Sequence, residues 1–339
     1  MKALSHTDAF QVLLLQAADE GRGPVLFGDS VNRVRTAPLP FLVGKEFPSI
    51  YLEFPLCGDP FLDVTVLYSE LEPGTRIDSP AAAGSKQLLD WFAGIDNAQS
   101  SVSLGFELDT KHHELPAAAI HFQPRGQTQL VEPFCKAIGE PERAALYLDL
   151  AKRMEDYWPL SFFGLFRGRP NAPLRVCGYL KPAEVRACAQ DPQHLAEAFK
   201  KTGFTAYDDA MLKSVSELMA VAPETVDFQF DVYADGSLGP TFAIDLQFGI
   251  ERPQAVREAF TTGQSSQVMR LLEDWGAADE RWKLGVGATF ARALPIELDD
   301  GKKAKYALAI MPHWVKARWI DGALQPAKLY QYANGKILT

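Results

Sequence analysis

The feature that most constrains this chain is a pair of strand-like segments joined by a tight turn, clearest over 160–181. Two apolar runs flank the break Arg-Pro-Asn-Ala-Pro at 169–173, and prolines interrupt the hydrogen bonding of a sheet. In the second run apolar side chains alternate with others, which is typical of a strand with one buried face. The segment predicts a β-hairpin whose apolar face packs on a helix and whose other face carries Arg175, Tyr179 and Lys181.

The same pattern recurs five times along the chain. The predicted strand pairs are 50–56 with 61–70, 101–109 with 117–123, the pair above, 226–234 with 240–248, and 282–294 with 305–310, followed by extended tail segments at 313–320 and 327–332. The hairpin tips lie about 55 to 66 residues apart, and amphipathic helical segments fill each interval. Strands in adjacent, tightly turned pairs indicate an antiparallel sheet rather than a parallel α/β fold.

Ten antiparallel strands with helices between the pairs predict a closed barrel. Closure removes the unpaired edges of the sheet, the helices cover its apolar face, and the polar faces then line a lumen wide enough for a ligand. We therefore predict one domain over 1–339 of the α+β class: a ten-stranded antiparallel β-barrel of five αββα repeats inside an outer ring of helices. The alternative is an open α+β layer whose polar strand face lies in solvent.

Composition excludes several classes of partner. The formal net charge of −9 argues against nucleic-acid binding, which needs a basic surface. No apolar window approaches the roughly 20 residues of a membrane span, and the start of the chain lacks the cleavage pattern of a signal peptide. The four cysteines lie far apart without a CxxC pair, which indicates free thiols in a reducing compartment. We expect a cytoplasmic protein without nucleic-acid or membrane partners.

The strand face that would line the barrel carries many charged and phenolic side chains. Its carboxylates are Glu53, Asp63, Glu107, Asp109, Asp227, Asp231 and Asp245. Its cations are Arg125, Arg167, Arg175, Lys181, Lys283, Lys316, Arg318 and Lys328, and its tyrosines are Tyr51, Tyr179, Tyr233, Tyr330 and Tyr332. Trp314 is assigned to the core. Buried groups of this kind need partners in one another, in water or in a ligand.

This layout resembles the αββα (ABBA) prenyltransferases, whose members include dimethylallyltryptophan synthases and peptide prenyltransferases. The likeness spans nearly the whole chain. The best local matches are Lys181 after Tyr179, Lys316 with Arg318, and the segment Ala-Lys-Leu-Tyr-Gln-Tyr at 327–332. The resemblance implies an enzyme of secondary metabolism that transfers a prenyl group from an allylic diphosphate to an aromatic small molecule or a peptide side chain.

The resemblance also implies roles for the lumen residues. The diphosphate would be held by Arg167, Arg175, Lys181, Lys316, Arg318 and Lys328, because its departure develops negative charge. Tyr179, Tyr233, Tyr330 and Tyr332 would shield the allylic cation. Glu53, or as second choice Asp63, would orient the acceptor or take its proton.

The many carboxylates leave the cofactor and the acceptor open. The enzyme would need no cofactor, or Mg²⁺ would bridge carboxylates to the diphosphate; a cationic acceptor is a further explanation. Two other functions fit the same barrel. One is a non-catalytic accessory protein that binds a ligand or peptide in a biosynthetic pathway, and the other is a carboxylate- and metal-dependent enzyme.

Overall fold

The computed structural model describes residues 5–19, 21–96, 102–111, 116–156, 158–167, 172–222, 225–250, 252–297 and 301–338. The predicted hairpin tips near 114, 170 and 300 lie at least partly outside these ranges. Strands in the described ranges are β1 (Ser49–Pro55), β2 (Asp63–Tyr68), β3 (Ser103–Leu108), β4 (Ala119–Gln123), β5 (Leu160–Leu165), β6 (Leu174–Leu180), β7 (Val226–Val232), β8 (Leu238–Gln247), β9 (Phe290–Glu297), β10 (Lys303–Ile320), β11 (Ala323–Leu324) and β12 (Lys328–Leu338).

Helices occupy the intervals between the strand pairs, as predicted. They are α1 (His6–Ala18), α2 (Arg22–Phe27), α3 (Ser30–Val34), α4 (Lys86–Ala93), α5 (Val131–Ala137), α6 (Glu142–Met154), α7 (Pro182–Gln190), α8 (Pro192–Thr202), α9 (Asp209–Ala220), α10 (Pro253–Thr261), α11 (Gln264–Asp274) and α12 (Arg281–Gly287). Short 3₁₀ turns lie at Leu39–Phe41, Pro80–Ala82 and Thr128–Leu130. Across the described ranges, no helix combines the length and apolar character needed to cross a bilayer.

Ten strands form a closed antiparallel barrel. Strands β1 to β8 pair in chain order, β8 pairs with the second half of β10, β10 pairs with β12, and β12 returns to β1. The closing contacts run from Ile50 opposite Ala333 to Pro55 opposite Lys328 on one side, and from Gln247 opposite Trp314 onward on the other. The prediction of an α+β fold with a ten-stranded barrel is therefore confirmed, and the open layer is excluded.

The fifth hairpin differs from the prediction. The segment 282–294 was expected to begin as a strand, but 281–287 forms helix α12 on the outside of the barrel, where the backbone of Gly285 lies against Phe54 and Leu329. The tail segments supply the last two barrel strands instead, β10 and β12, which turn at Asp321 and Gly322 with φ angles of 48° and 78°. Strand β9 pairs with the first half of β10 and lies off the barrel path.

The hydrophobic core lies between the barrel wall and the helices. Trp158, before β5, packs 5.0 Å from Phe228 of β7, and Phe199 of α8 packs 4.8 Å from Phe242 of β8, as measured between ring centres. All four side chains are fully buried, and burying each such ring contributes about 1.5–3 kcal/mol. The apolar register of the strands thus faces outward onto the helices, which directs the polar register into the lumen.

Gly178 of β6 provides a test of this packing. A Cβ atom at this position would collide with the carbonyl oxygen of Pro159 and lie 2.6 Å from the Phe228 ring. We expect Gly178→Ala to lower the free energy of unfolding by about 1–3 kcal/mol, because overpacking displaces neighbours. Gly287→Ala is the control: a Cβ there meets no atom within 4 Å, and its effect in chemical denaturation should stay within about 0.5 kcal/mol. Equal effects would contradict the packing described.

Candidate active site

A cavity of about 740 Å³ fills the barrel on the side of the helical connections. Its volume lies in the range of pockets that bind small organic ligands, roughly 300–1,000 Å³. Charged and phenolic residues predicted to face the lumen and found in its lining are Tyr51, Glu53, Glu107, Arg125, Arg175, Tyr179, Asp227, Asp245, Lys316 and Tyr330, and the lining also contains Thr65, His121, Gln123, Gln229 and Gln247. A narrower cavity of about 40 Å³ lies toward the hairpin turns and adds Asp231, Arg318 and Lys328 to the lining.

Lys328 joins two carboxylates on neighbouring strands of the barrel. Its Nζ lies 2.5 Å from Oε1 of Glu53 and 3.6 Å from Oδ2 of Asp63, and the two acids are cross-strand partners on β1 and β2. Burial opposes ionisation of both acids, but Lys328 and Lys316 outweigh it at Glu53, and the pKa of Glu53 is lowered. Burial and the neighbouring Glu53 raise the pKa of Asp63 despite Lys328. Glu53 is therefore the ionised partner.

Arg175 is held in a fixed orientation on β6. Its Nε donates to Oδ1 of Asp231 at 2.9 Å and its Nη2 donates to Oδ2 at 3.3 Å, which is the two-point geometry that suits a planar guanidinium. The guanidinium carbon lies 4.4 Å from the centre of the Phe166 ring. The donor edge of Arg175 is thereby positioned at the junction of the two cavities, whose linings it shares.

Lys316 of β10 has a neutral hydrogen-bond partner. Its Nζ donates to the Tyr330 hydroxyl at 2.8 Å and lies 3.7 Å from Oδ1 of Asp245. Burial, followed by the charges of Glu53 and Asp245, raises the pKa of Tyr330 far above its ordinary value, so the phenol stays protonated. The closest partner of Lys316 is therefore a neutral hydroxyl, and the carboxylate of Asp245 lies farther away.

Asp227 and Asp245 face each other across β7 and β8. The Gln247 amide donates to Asp227 at 2.6 Å, and the Gln229 amide donates to Asp245 at 2.5 Å. Burial raises the pKa of Asp227 to about 7, with Asp245 contributing. Burial also raises the pKa of Asp245 to about 6, although Lys316 opposes the shift. Both carboxyls are therefore partly protonated near neutral pH.

Aromatic rings form one wall of the larger cavity. The Trp314 ring lies 4.7 Å from Tyr51 and 4.7 Å from Tyr330, as measured between ring centres. Tyr332 packs 5.2 Å from Tyr51 but does not line the cavity. His313 lies beside them, and burial lowers its pKa to about 4, so its ring is neutral. Electron-rich aromatic rings beside polar side chains suit a reaction that passes through a carbocation.

Asp63 and Tyr332, both predicted site residues, appear in the lining of neither cavity. Three further predicted site residues also lie elsewhere. Arg167 pairs with Glu140 between α5 and α6 at 3.0 Å, Lys181 is exposed at the start of α7, and Tyr233 is 38% exposed at the β7–β8 turn. The structure does not bring them into the lining of either cavity. All three lie beyond the last residue of their strand, where the alternation of inward and outward side chains no longer holds.

Lys283 and Asp109 also depart from the predicted lining. Lys283 lies on helix α12, half exposed and 2.9 Å from Glu280, because the predicted strand there is a helix. Asp109 follows the end of β3 and appears in the lining of neither cavity.

Two groups were given no site role from the sequence. His121 pairs with Glu107 at 2.9 Å, and its ring lies over Gly164, where an added Cβ would come within 2.7 Å of Nδ1. Trp314 lines the cavity instead of the core, because it lies two residues before Lys316 on the same face of β10. Gly164 opposite a strand histidine was a usable signal for the first, and alternation with Lys316 and Arg318 was a usable signal for the second.

The lumen carboxylates do not converge on a preformed metal site. Within the described ranges, the one group of three possible ligands is Glu184, Cys188 and His194, which belongs to helices α7 and α8. The acids inside the barrel instead accept hydrogen bonds from lysine, arginine or glutamine side chains. Their geometry therefore does not fit a resident Mg²⁺ ion.

Neither a protein-family model nor a curated protein sequence matches this chain. Solved structures match over nearly its whole length. The apo form of the prenyltransferase PriB superimposes with a TM-score of 0.55 at 13% identity, covering 97% of this chain and 96% of PriB. The 6-dimethylallyltryptophan synthase from Micromonospora olivasterospora, in complex with DMASPP and Trp, gives 0.51 at 14% identity, with 97% of each chain covered.

A second PriB structure, a binary complex with product diphosphate, gives a TM-score of 0.52 at 12% identity over 97% of this chain and 96% of PriB. Identities this low bear on the fold alone. The closed ten-stranded barrel and these superpositions together show that this chain has the fold of the ABBA prenyltransferases.

Proposed function

We propose that this protein is a prenyltransferase that moves a prenyl group from an allylic diphosphate to an aromatic small molecule or a peptide side chain inside the barrel. One observation carries the proposal: buried cations and an ionised carboxylate lie beside an aromatic wall in a cavity of about 740 Å³. The structural relatives support it, since one was solved with product diphosphate and another with DMASPP and Trp.

The diphosphate would bind near the junction of the two cavities. Lys316, Arg318 and Lys328 lie on adjacent strands there, and Arg175 faces them from β6. When the bond between the allylic carbon and the diphosphate oxygen breaks, negative charge grows on the leaving group. Cations already fixed in a poorly hydrated site stabilise that charge without further reorganisation.

The second half of the reaction uses the aromatic wall and Glu53. The allylic cation left behind would be stabilised by the faces of Trp314, Tyr330 and Tyr51, which also limit the access of water. A ring carbon of the acceptor attacks the cation and forms the new carbon–carbon bond. The proton on that ring carbon then leaves to a base, and the ionised Glu53 is the lumen carboxylate best prepared to take it.

The acid content of the lumen is compatible with an anionic donor. Raised pKa values at Asp63, Asp227 and Asp245 reduce the negative charge near neutral pH. Arg175 neutralises Asp231. The field in the half of the lumen that holds Lys316, Arg318 and Lys328 is therefore less negative than the count of carboxylates indicates.

Mass spectrometry tests the proposal directly. The full chain is incubated with dimethylallyl or geranyl diphosphate and a panel of indoles, phenols and peptides, and the acceptor is expected to gain the mass of one prenyl group while diphosphate is released. Tight binding of an acceptor without any mass gain would favour the accessory binding protein. Turnover that needs no prenyl donor and stops on chelation would favour the metal-dependent enzyme.

Lys316 tests the donor site. We expect Lys316→Met, which removes the charge but keeps most of the volume, to lower kcat/KM by about 10²–10³, the usual effect of losing one stabilising group at a developing anion. Lys213→Met is the matched control, because Lys213 is exposed on α9, and its kcat/KM should equal that of the wild type. Unchanged kcat/KM in Lys316→Met would remove this residue from the donor site.

Glu53 tests the proton transfer. In Glu53→Gln we expect transfer to the arene to fall by about 10²–10⁴, as for the loss of a general base, while release of diphosphate from the donor into water continues. Measuring both products in one assay separates the two steps. Equal losses of both would show that Glu53 supports the donor site rather than the acceptor.

Asp227 gives a pH test. Because its folded-state pKa of about 7 exceeds the ordinary value of 3.8, its contribution to stability is complete below pH 3.8 and is lost as pH rises through 7. The free energy of unfolding of the wild type, relative to Asp227→Asn, should fall by roughly 1–3 kcal/mol between pH 4 and 8. The control Asp235→Asn, at an exposed position, should show the same dependence of the unfolding free energy on pH as the wild type in this window. If Asp227→Asn also shows the wild-type dependence, the raised pKa of Asp227 is refuted.

A further inference from the structure

Among the residues that the structure describes, one pair of carboxylates in the lumen has a single cation at ion-pair distance, Lys316, whose Nζ lies 3.7 Å from Oδ1 of Asp245. Asp227 and Asp245 are cross-strand partners and both line the larger cavity. Asp245 is 4% exposed, and its Oδ1 atom is buried without a hydrogen bond. Two neutral amides supply the hydrogen bonds that the pair accepts. A buried carboxylate oxygen with no donor is costly unless a ligand supplies one.

The other acids of the lumen have close side-chain partners. Lys328 pairs with Glu53 and Asp63, Arg175 pairs with Asp231, and Glu107 shares a hydrogen bond with the His121 ring. Around Asp227 and Asp245, the one ion pair found in the described part of the chain is that of Lys316 with Asp245, at 3.7 Å. The two acids therefore share one lysine, and the hydrogen bond to Asp227 comes from a neutral amide.

The surroundings of the pair suit an organic cation. Gln247, which donates a hydrogen bond to Asp227, is the cross-strand neighbour of Trp314. Tyr179 on β6 is the cross-strand neighbour of Asp227. Carboxylates beside aromatic faces bind ammonium and guanidinium groups through both charge pairing and cation–π contact.

The balance of charge differs between the two ends of the barrel. Asp231, Arg318 and Lys328 line only the cavity near the hairpin turns, whereas Arg125, Asp227 and Asp245 line only the part near the helical connections. An anionic donor is favoured at the first end, where the cations of the lining outnumber its acids. The pair of acids therefore lies on the side left for the acceptor.

We propose that Asp227 and Asp245 bind a positively charged group, an ammonium or a guanidinium, carried by the prenyl acceptor. This inference rests on the proposed function and narrows its acceptor to cationic molecules. The raised pKa values of the two acids agree with it, because burial of the pair outweighs the positive charge of Lys316.

Two indoles of nearly equal size test the inference. Tryptamine carries an ammonium group, and tryptophol carries a neutral hydroxyl in its place. Calorimetry with the full chain at pH 8 should show tryptamine binding about 10–100-fold more tightly, the usual value of a charged hydrogen bond. Equal affinities in the wild type would overturn the proposal.

Substitutions of the two acids test which residues produce the preference for tryptamine. Asp227→Asn and Asp245→Asn should each reduce the preference for tryptamine about ten-fold or more, with little change in the affinity for tryptophol. The control Asp235→Asn lies at the exposed turn between β7 and β8 and should keep the wild-type preference. Variants whose affinities for tryptamine and tryptophol fall equally would contradict the proposed contact.

Measuring the release of diphosphate from dimethylallyl diphosphate in the absence of an acceptor distinguishes failure of this inference from failure of the proposed function. A protein that prefers tryptamine but neither binds nor cleaves the donor would refute the prenyltransferase while retaining the cation site. A protein that cleaves the donor but does not distinguish the two indoles would refute the cation site alone.

Discussion

Closure of the sheet is the constraint on which the rest of this structure depends. Hydrogen bonds between β12 and β1, and between β8 and β10, leave the barrel strands without free edges. Once the apolar side chains of each strand pack on the helices, the alternation of a strand directs every second side chain into the lumen. A cavity lined by charges then follows from geometry alone, because the polar residues have no other place to lie.

The net charge of the lumen side chains is reduced by ion pairing and by protonation. Lys328 and Arg175 each lie against carboxylates, and Asp63, Asp227 and Asp245, whose burial outweighs the positive charge nearby, have raised pKa values. Buried charges are tolerated on these terms, since an unpaired ion loses far more hydration than it gains. Cations outnumber acids only in the lining near the hairpin turns, which suits a reaction between an anionic donor at that end and a second substrate.

Much of the fold and of the site could be predicted from the sequence. The hairpins containing Glu53, Arg175 and Asp245 show clear alternation and good turns, and the structure places all three in the cavity lining. Prediction failed where alternation was extended past the end of a strand, as at Lys181. It also failed at 282–289, where alternating apolar residues imitate a strand, although the segment is a helix packed on Phe54.

The amino-acid sequence by itself determined the repeat, the antiparallel pairing and the identity of most side chains that face inward, because these depend on local periodicity and turn chemistry. Only the tertiary structure decided which charges meet. The contacts of Lys328 with Glu53 and of Arg175 with Asp231 join residues 275 and 56 positions apart. The bulge between Pro312 and Trp314, where the adjacent His313 and Trp314 both line the cavity, was likewise decided there, since register between distant strands depends on closure of the whole barrel and not on any local pattern.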